Sequence, residues 1–209
     1  MAGQIFNPSC SHHRIMAITD HNLLTEHLKR HLALSDDDCI ILSSRIRTAR
    51  IRRKEFMLRQ GQVAKDAAFV LSGCLRAYSV DDNGFEHILQ FAAPGWWITD
   101  MYSWISGKGS HLQIDAIRES HVALLSRKDQ LYLFDRIPGL ERYFRILTEN
   151  NLVSTRQRII ESLSLTAKQR YQQFCRTYPD IIDQIPQKLI ASYIGVTPEF
   201  LSKILAEQK

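Results

Sequence analysis

Glu199 and Lys203 set a hydrogen-bond acceptor and a cation four residues apart, which puts both on one side of a helix. A carboxylate at Glu199 can accept a hydrogen bond from cytosine N4, and the Lys203 ammonium can donate to guanine O6 and N7. Thr197 and Ser202 carry hydroxyls suited to phosphate or backbone contacts. Lys188, just upstream, completes this set of DNA-binding candidates. The chemistry these residues offer is the reading of base edges, with no bond made or broken.

Such a set works only if the helix that carries it is propped at a fixed angle. Residues 187–205 supply the prop. Ile190 and Ile194 lie on one face of a short first helix, and Ala191 is small enough for a second helix to cross closely. Gly195 can take the positive φ of a helix-ending turn. Thr197 can cap the second helix, and Pro198 suits its first position, where no N–H is needed. Leu201, Ile204 and Leu205 then face the first helix. An ordinary αα-hairpin shares the paired amphipathic helices. The coincidence of small residue, glycine turn, Thr-Pro cap and polar outer face favours a helix-turn-helix.

Other reactive constellations are missing from the sequence. It holds no Gly-rich phosphate loop, no G-x-S-x-G elbow and no H-E-x-x-H, so neither an enzyme nor a cofactor is expected. Cys10 with His12 and His13, or His27 with His31, fall short of a metal ligand set. His87, His111 and His121 lack the His-x-His spacing of a metal-binding jelly roll. The four cysteines, Cys10, Cys39, Cys74 and Cys175, are dispersed and fit a reduced, cytoplasmic chain. There is no signal-peptide pattern and no apolar run of membrane length, so no membrane partner is expected. The net charge of +5 is uneven: residues 136–209 hold 11 Lys and Arg against 7 Asp and Glu. A basic C-terminal part suits a polyanion. The basic run Arg45–Lys54 reads as a solvated strand and turn, and the aromatic-rich segment around Trp96, Trp97 and Trp104 as pocket wall or core.

Upstream, residues 14–34 predict a helix capped by Asp20. From about 40 to 126 short apolar runs alternate with turn signals, among them Ser72-Gly73, Asp82-Asn83-Gly84 and Pro94-Gly95, and predict an antiparallel sandwich or barrel. Pro138-Gly139 reads as a turn, followed by a long helix over 140–163 with an apolar stripe and a shorter one over 166–177. Asn150 and Asn151 interrupt the stripe and either face water or fix the register of a helix seam.

Four phrases carry a resemblance: Phe69-Val70-Leu71-Ser72-Gly73-Cys74-Leu75-Arg76, Gly84-Phe85-Glu86, Pro94-Gly95-Trp96-Trp97-Ile98, and Ile190 to Glu199. From about residue 20 onward the chain resembles the Crp/Fnr family of bacterial transcription regulators, and looks most like its Bacteroidetes-type branch. The resemblance implies an α+β chain. An N-terminal antiparallel β-roll (a double-stranded β-helix like that of cyclic-nucleotide-binding domains) with its leading helix would span 1–135. A dimerisation helix would span 136–164, and a helix-turn-helix domain 165–209. The family's recognition helix presents Arg-Glu and then Arg. Here Pro198 stands for the first Arg and removes one guanine contact, Glu199 keeps the acceptor, and Lys203 stands for the last Arg. The family's ribose and phosphate pairs, Gly-Glu and Arg-Ser, fall on Thr99-Asp100 and Ser110-His111. The buried cation that a cyclic phosphate needs is then lost, and Asp100, Tyr102, Trp104, Ser110 and His111 are the effector-pocket candidates. The sequence runs to Lys209 directly after the second helix, leaving no residues for a β-hairpin wing; weaker backbone anchoring and reliance on the dimer are expected.

The resemblance thus implies a homodimeric, sequence-specific regulator of double-stranded DNA, on an inverted repeat. A small-molecule effector and RNA polymerase are the further candidate partners. The competing expectation is a ligand-sensing roll with weak or vestigial DNA binding.

Overall fold

The computed structural model describes residues 23–206, so Asp20, Cys10, His12 and His13 lie outside the described residues. Helix α1 (23–29) buries Leu24 and Leu28 against the roll. Helix α2 (Asp36–Arg45) was not expected, because Ile40-Ile41-Leu42 has the look of a strand. Its signal is Ser35, whose hydroxyl accepts from the Asp38 N–H while the Asp38 carboxylate accepts from the Ser35 N–H.

Strands β1 (Arg47–Ile51), β2 (Phe56–Leu58), β3 (Asp66–Val80), β4 (Glu86–Ala92), β5 (Trp97–Ile98) and β6 (Gln113–Ser126) form an antiparallel roll. Four lie in the order β1-β6-β3-β4, with β2 added to β6 and β5 to β3. The α+β class and the antiparallel roll are as expected. Ser72-Gly73 is not a closing turn, however. It is an irregularity inside one long strand, where β3 shifts register against β6. Gly73 sits at φ 94°, and a Cβ there would lie 2.5 Å from the Glu119 carbonyl oxygen, so only glycine lets the two strands cross. The 81–85 turn closes the β3–β4 hairpin. Asp81 accepts from the N–H groups of Asn83 and Phe85, and Gly84, at φ 82°, is its left-handed residue.

Four helices follow the strands or interrupt them: α3 (Met101–Ser106), α4 (Arg127–Arg136), α5 (Pro138–Ser164) and α6 (Ala167–Thr177). Pro138 is not in a turn; it opens α5 at a position where its missing N–H costs nothing. The chain ends in α7 (Gln187–Ile194) and α8 (Pro198–Ala206). Among the described residues no single helix is long and apolar enough to cross a membrane.

Three cores result. One fills the roll around Leu75, Ile98, Ile114 and Trp104. A second seats α1, α2, α4 and the start of α5 on Phe69, Leu71 and Leu125. A third joins α6, α7 and α8 to Cys74, Tyr78, Ile88 and Phe91 on the roll. The C-terminal helices therefore share a core with the sheet rather than hanging from a linker.

Candidate nucleic-acid interface

Helices α7 and α8 meet at a bend of 102°, within the range of helix-turn-helix pairs. The turn is made as the residue types require. Gly195 takes φ 71°, and the Val196 N–H reaches back to the Ala191 carbonyl at 3.0 Å, closing a Schellman turn. The Thr197 hydroxyl accepts from the Phe200 N–H at 3.3 Å and caps α8. Ala191 and Leu201 are fully enclosed where the helices cross, and Ile190, Ile194 and Ile204 close around them. Glu199, Ser202 and Lys203 stand exposed together on the far side of α8, and Lys188 is exposed on the first turn of α7. Ser202 donates its hydroxyl proton to the Pro198 carbonyl at 2.9 Å, a bond it would exchange to donate to a phosphate oxygen. Phe200, which sequence reasoning passed over, is exposed on the same helix.

The reader is fixed to the roll by groups that no motif announces. β4 is an edge strand, with backbone N–H and C=O groups in need of partners. Ser192 of α7 donates to the Glu86 carbonyl at 2.6 Å and accepts from the Ile88 N–H at 3.2 Å. Arg158 of α5 donates to the carbonyls of Leu89, Ile88 and Tyr193 at 2.6, 2.7 and 2.9 Å. Its guanidinium also lies 3.9 Å from the centre of the Tyr193 ring. One side chain thus ties the long helix, the roll and the helix pair together. Beneath it, Phe91 meets Phe174, Tyr178 and Tyr193 with ring centres 5.5–5.9 Å apart. Burial, with Tyr193 alongside, raises the Tyr178 hydroxyl's pKa well above the ordinary tyrosine value.

In the roll, the expected effector residues divide. Asp100 and Ser110 come together: the Ser110 hydroxyl donates to Asp100 Oδ2 at 2.6 Å. Asp100 Oδ1 accepts from the Tyr102 and Ser103 N–H groups and so caps α3. Both side chains are buried. Tyr102 and His111 stack at the surface with ring centres 5.1 Å apart. Trp104 points into the roll core, and its indole N–H finds no partner. A cavity of about 610 Å³ opens elsewhere, between β1, β2, β6 and residues 62–66. Ile51, Met57, Leu58, Ala64 and Ile114 are among its walls, and none of the five expected residues lines it. Within the basic run 45–54, Arg45 pairs with Asp129, Arg47 with Asp66 and Arg50 with Glu119. His27 and His31 pack ring to ring beside Tyr143, and among the described residues no cluster could hold a metal.

A buried polar centre braces the end of the roll nearest the helix pair. Arg76 donates through Nε and Nη2 to both Asp115 oxygens at 2.7 and 2.9 Å, and also bonds Glu86. Burial alone would lower the pKa of the guanidinium, but the bonds to Asp115 and Glu86 outweigh it and raise the value. Cys74, enclosed beside this centre, has its thiol pKa pushed up to about 12 by burial, which leaves it inert as a nucleophile.

Residues 48–136 match the cyclic nucleotide-binding domain family. That stretch takes in most of the roll, which is therefore similar in sequence to cyclic nucleotide-binding domains. No curated protein sequence matches the chain. Among solved structures, FixK2 from Bradyrhizobium japonicum is 20% identical, covering 78% of this chain and 83% of its own, with a TM-score of 0.67. The c-di-GMP-responsive global regulator CLP of Xanthomonas campestris is 14% identical over 83% of this chain and 91% of its own, also at 0.67. A regulator assigned to the Crp/Fnr family, from Eubacterium rectale, is 15% identical over 83% of each chain, at 0.65. The roll and the helices after it thus share the fold of these regulators along most of their length.

Proposed function

We propose that this chain is a homodimeric transcription regulator that reads an inverted repeat in double-stranded DNA in the cytoplasm and catalyses no reaction. The observation that carries this is the α7–α8 pair: two helices at 102°, glycine-turned and threonine-capped, with a polar face turned to solvent. In this reading Glu199 and Lys203 address base edges, while Lys188, Thr197 and Ser202 address the backbone. The matches to regulators of known fold point the same way.

Dimer formation is supported by α5. Its first turns bury Leu140 and Tyr143, but Leu152, Val153, Ile159, Ile160 and Leu163 remain 51, 66, 56, 55 and 84% exposed. Residues 146, 153 and 160 recur at seven-residue spacing, as do 152 and 159, the pattern of a helix that packs along a second one. Sensing then belongs to 1–135, pairing to 136–164 and DNA reading to 165–209. In this reading the roll has lost the cyclic-nucleotide phosphate-binding pair, which is supported by Ser110 and His111 offering no guanidinium for the phosphate and by the engagement of Asp100 with Ser110 and α3. Tyr102 and His111 remain at the surface to meet another ligand.

Selection of random duplexes by the full-length protein tests the reading. An enriched inverted repeat, with half-sites about one helical turn apart, is the expected result. Failure to retain any duplex at low ionic strength would overturn it.

A further inference from the structure

Phe200 stands on the recognition helix with 49% of its surface exposed and no ring partner among the described residues. It occupies the third position of α8, and its N–H is held by the Thr197 cap, so its backbone is fixed. On a helical projection it borders the face made by Glu199, Ser202 and Lys203, three residues before Lys203 and therefore beside it. Every other side chain on that face is polar or small, and the partner inferred for it is DNA. The major groove offers an aromatic ring one apolar group to cover, the C5 methyl of thymine; its other edges are hydrogen-bonding atoms.

We propose that Phe200 is a specificity-determining residue that reads a thymine methyl, next to the base pair addressed by Lys203. The proposal rests on the DNA-reading function argued above. Phe200 and Lys203 are separated by about 4.5 Å along the helix axis, comparable to the roughly 3.4 Å step between stacked bases. The half-site should therefore carry a thymine within one step of the guanine that Lys203 contacts. The ring cannot hydrogen-bond and so supplies no cost-free contact to any other base, which makes it a selective reader despite being apolar.

The test starts from the duplex selected by the full-length protein. Each thymine of the half-site is replaced in turn by deoxyuridine, which removes only the C5 methyl. With the unaltered protein, one position should weaken binding about fourfold per half-site, and about fifteenfold when both half-sites are changed. Phe200→Ala, with its fold checked by circular dichroism, should bind thymine and uracil duplexes alike at that position. If deoxyuridine has no effect at any position, or if Phe200→Ala discriminates as well as its parent, the assignment is wrong and the ring serves another partner. The deoxyuridine arm uses the unaltered protein and does not depend on the variant folding. Failure to select any duplex would instead overturn the DNA-reading function, and this assignment with it.

Discussion

Arg158→Ala removes a side chain that joins the long helix to the roll edge and the helix pair. The guanidinium donates three hydrogen bonds to backbone carbonyls at 2.6, 2.7 and 2.9 Å and stacks on Tyr193. A hydrogen bond to a charged group contributes about 1.5–3 kcal/mol where water is excluded. Arg158 is only half-buried, and the β4 carbonyls can recover water once it is gone, so the sum is well below three times that figure. A loss of about 2–3 kcal/mol is expected, which for a chain of this size lowers Tm by roughly 5–10 °C. Urea unfolding followed by tryptophan fluorescence and far-ultraviolet circular dichroism measures it. Arg158→Lys should fall between the two, because a single ammonium cannot span carbonyls on two elements at once. Hydrogen exchange at the Ile88 amide, bonded to Ser192, should quicken in Arg158→Ala as the helix pair loosens from β4. A variant within about 0.5 kcal/mol of the parent, the size of an ordinary surface substitution, with the Ile88 amide still protected, would refute the idea that Arg158 holds the reader to the roll.

Asp115→Ala leaves the buried Arg76 with Glu86 as its remaining carboxylate and should cost about 3–5 kcal/mol in urea unfolding. Ile160→Glu places a charge on the exposed stripe of α5 and should shift the protein from dimer to monomer in sedimentation, leaving its circular dichroism unchanged. His27 has its pKa lowered by burial, then by His31 and Arg30, while its ring nitrogen pairs with the Tyr143 hydroxyl. The unfolded chain therefore takes up this proton first as pH falls. Its contribution is whole above the ordinary histidine value near 6.5 and is lost as pH drops from there to the lower folded value. The urea midpoint should fall between about pH 7.5 and pH 5.5, and less so in His27→Gln; equal falls would remove His27 from the account.

The C-terminal pair was legible because every part of it is a local rule: Gly195 for the left-handed turn, Thr197 for the cap, Pro198 for the first position, Leu201 and Ile204 for the seam. Helix α5 was legible from the spacing of its apolar residues. Helix α2 was not, since the apolar run 40–42 hid a capping box at Ser35 and Asp38. Gly73 looked like a chain reversal, but its role comes from Ser120 crossing β3, a partner 47 residues away that no local pattern reveals. The same holds for Arg158 and Ser192, whose bonds to β4 span about 70 and 104 residues. In the roll, the resemblance to the family singled out Asp100 and Ser110 as separate candidates. That they would bond one another depends on how α3 folds back, which the residue types alone do not specify.

The most direct measurement is a titration of the full-length protein with its selected duplex at graded salt, with the mass of the complex read in parallel by sedimentation. The account predicts two chains on each inverted repeat and an affinity that falls steeply as salt rises, because Lys188 and its neighbours bind by releasing the cations condensed on the phosphates. A single chain in solution that leaves duplex unbound even at low ionic strength would contradict it.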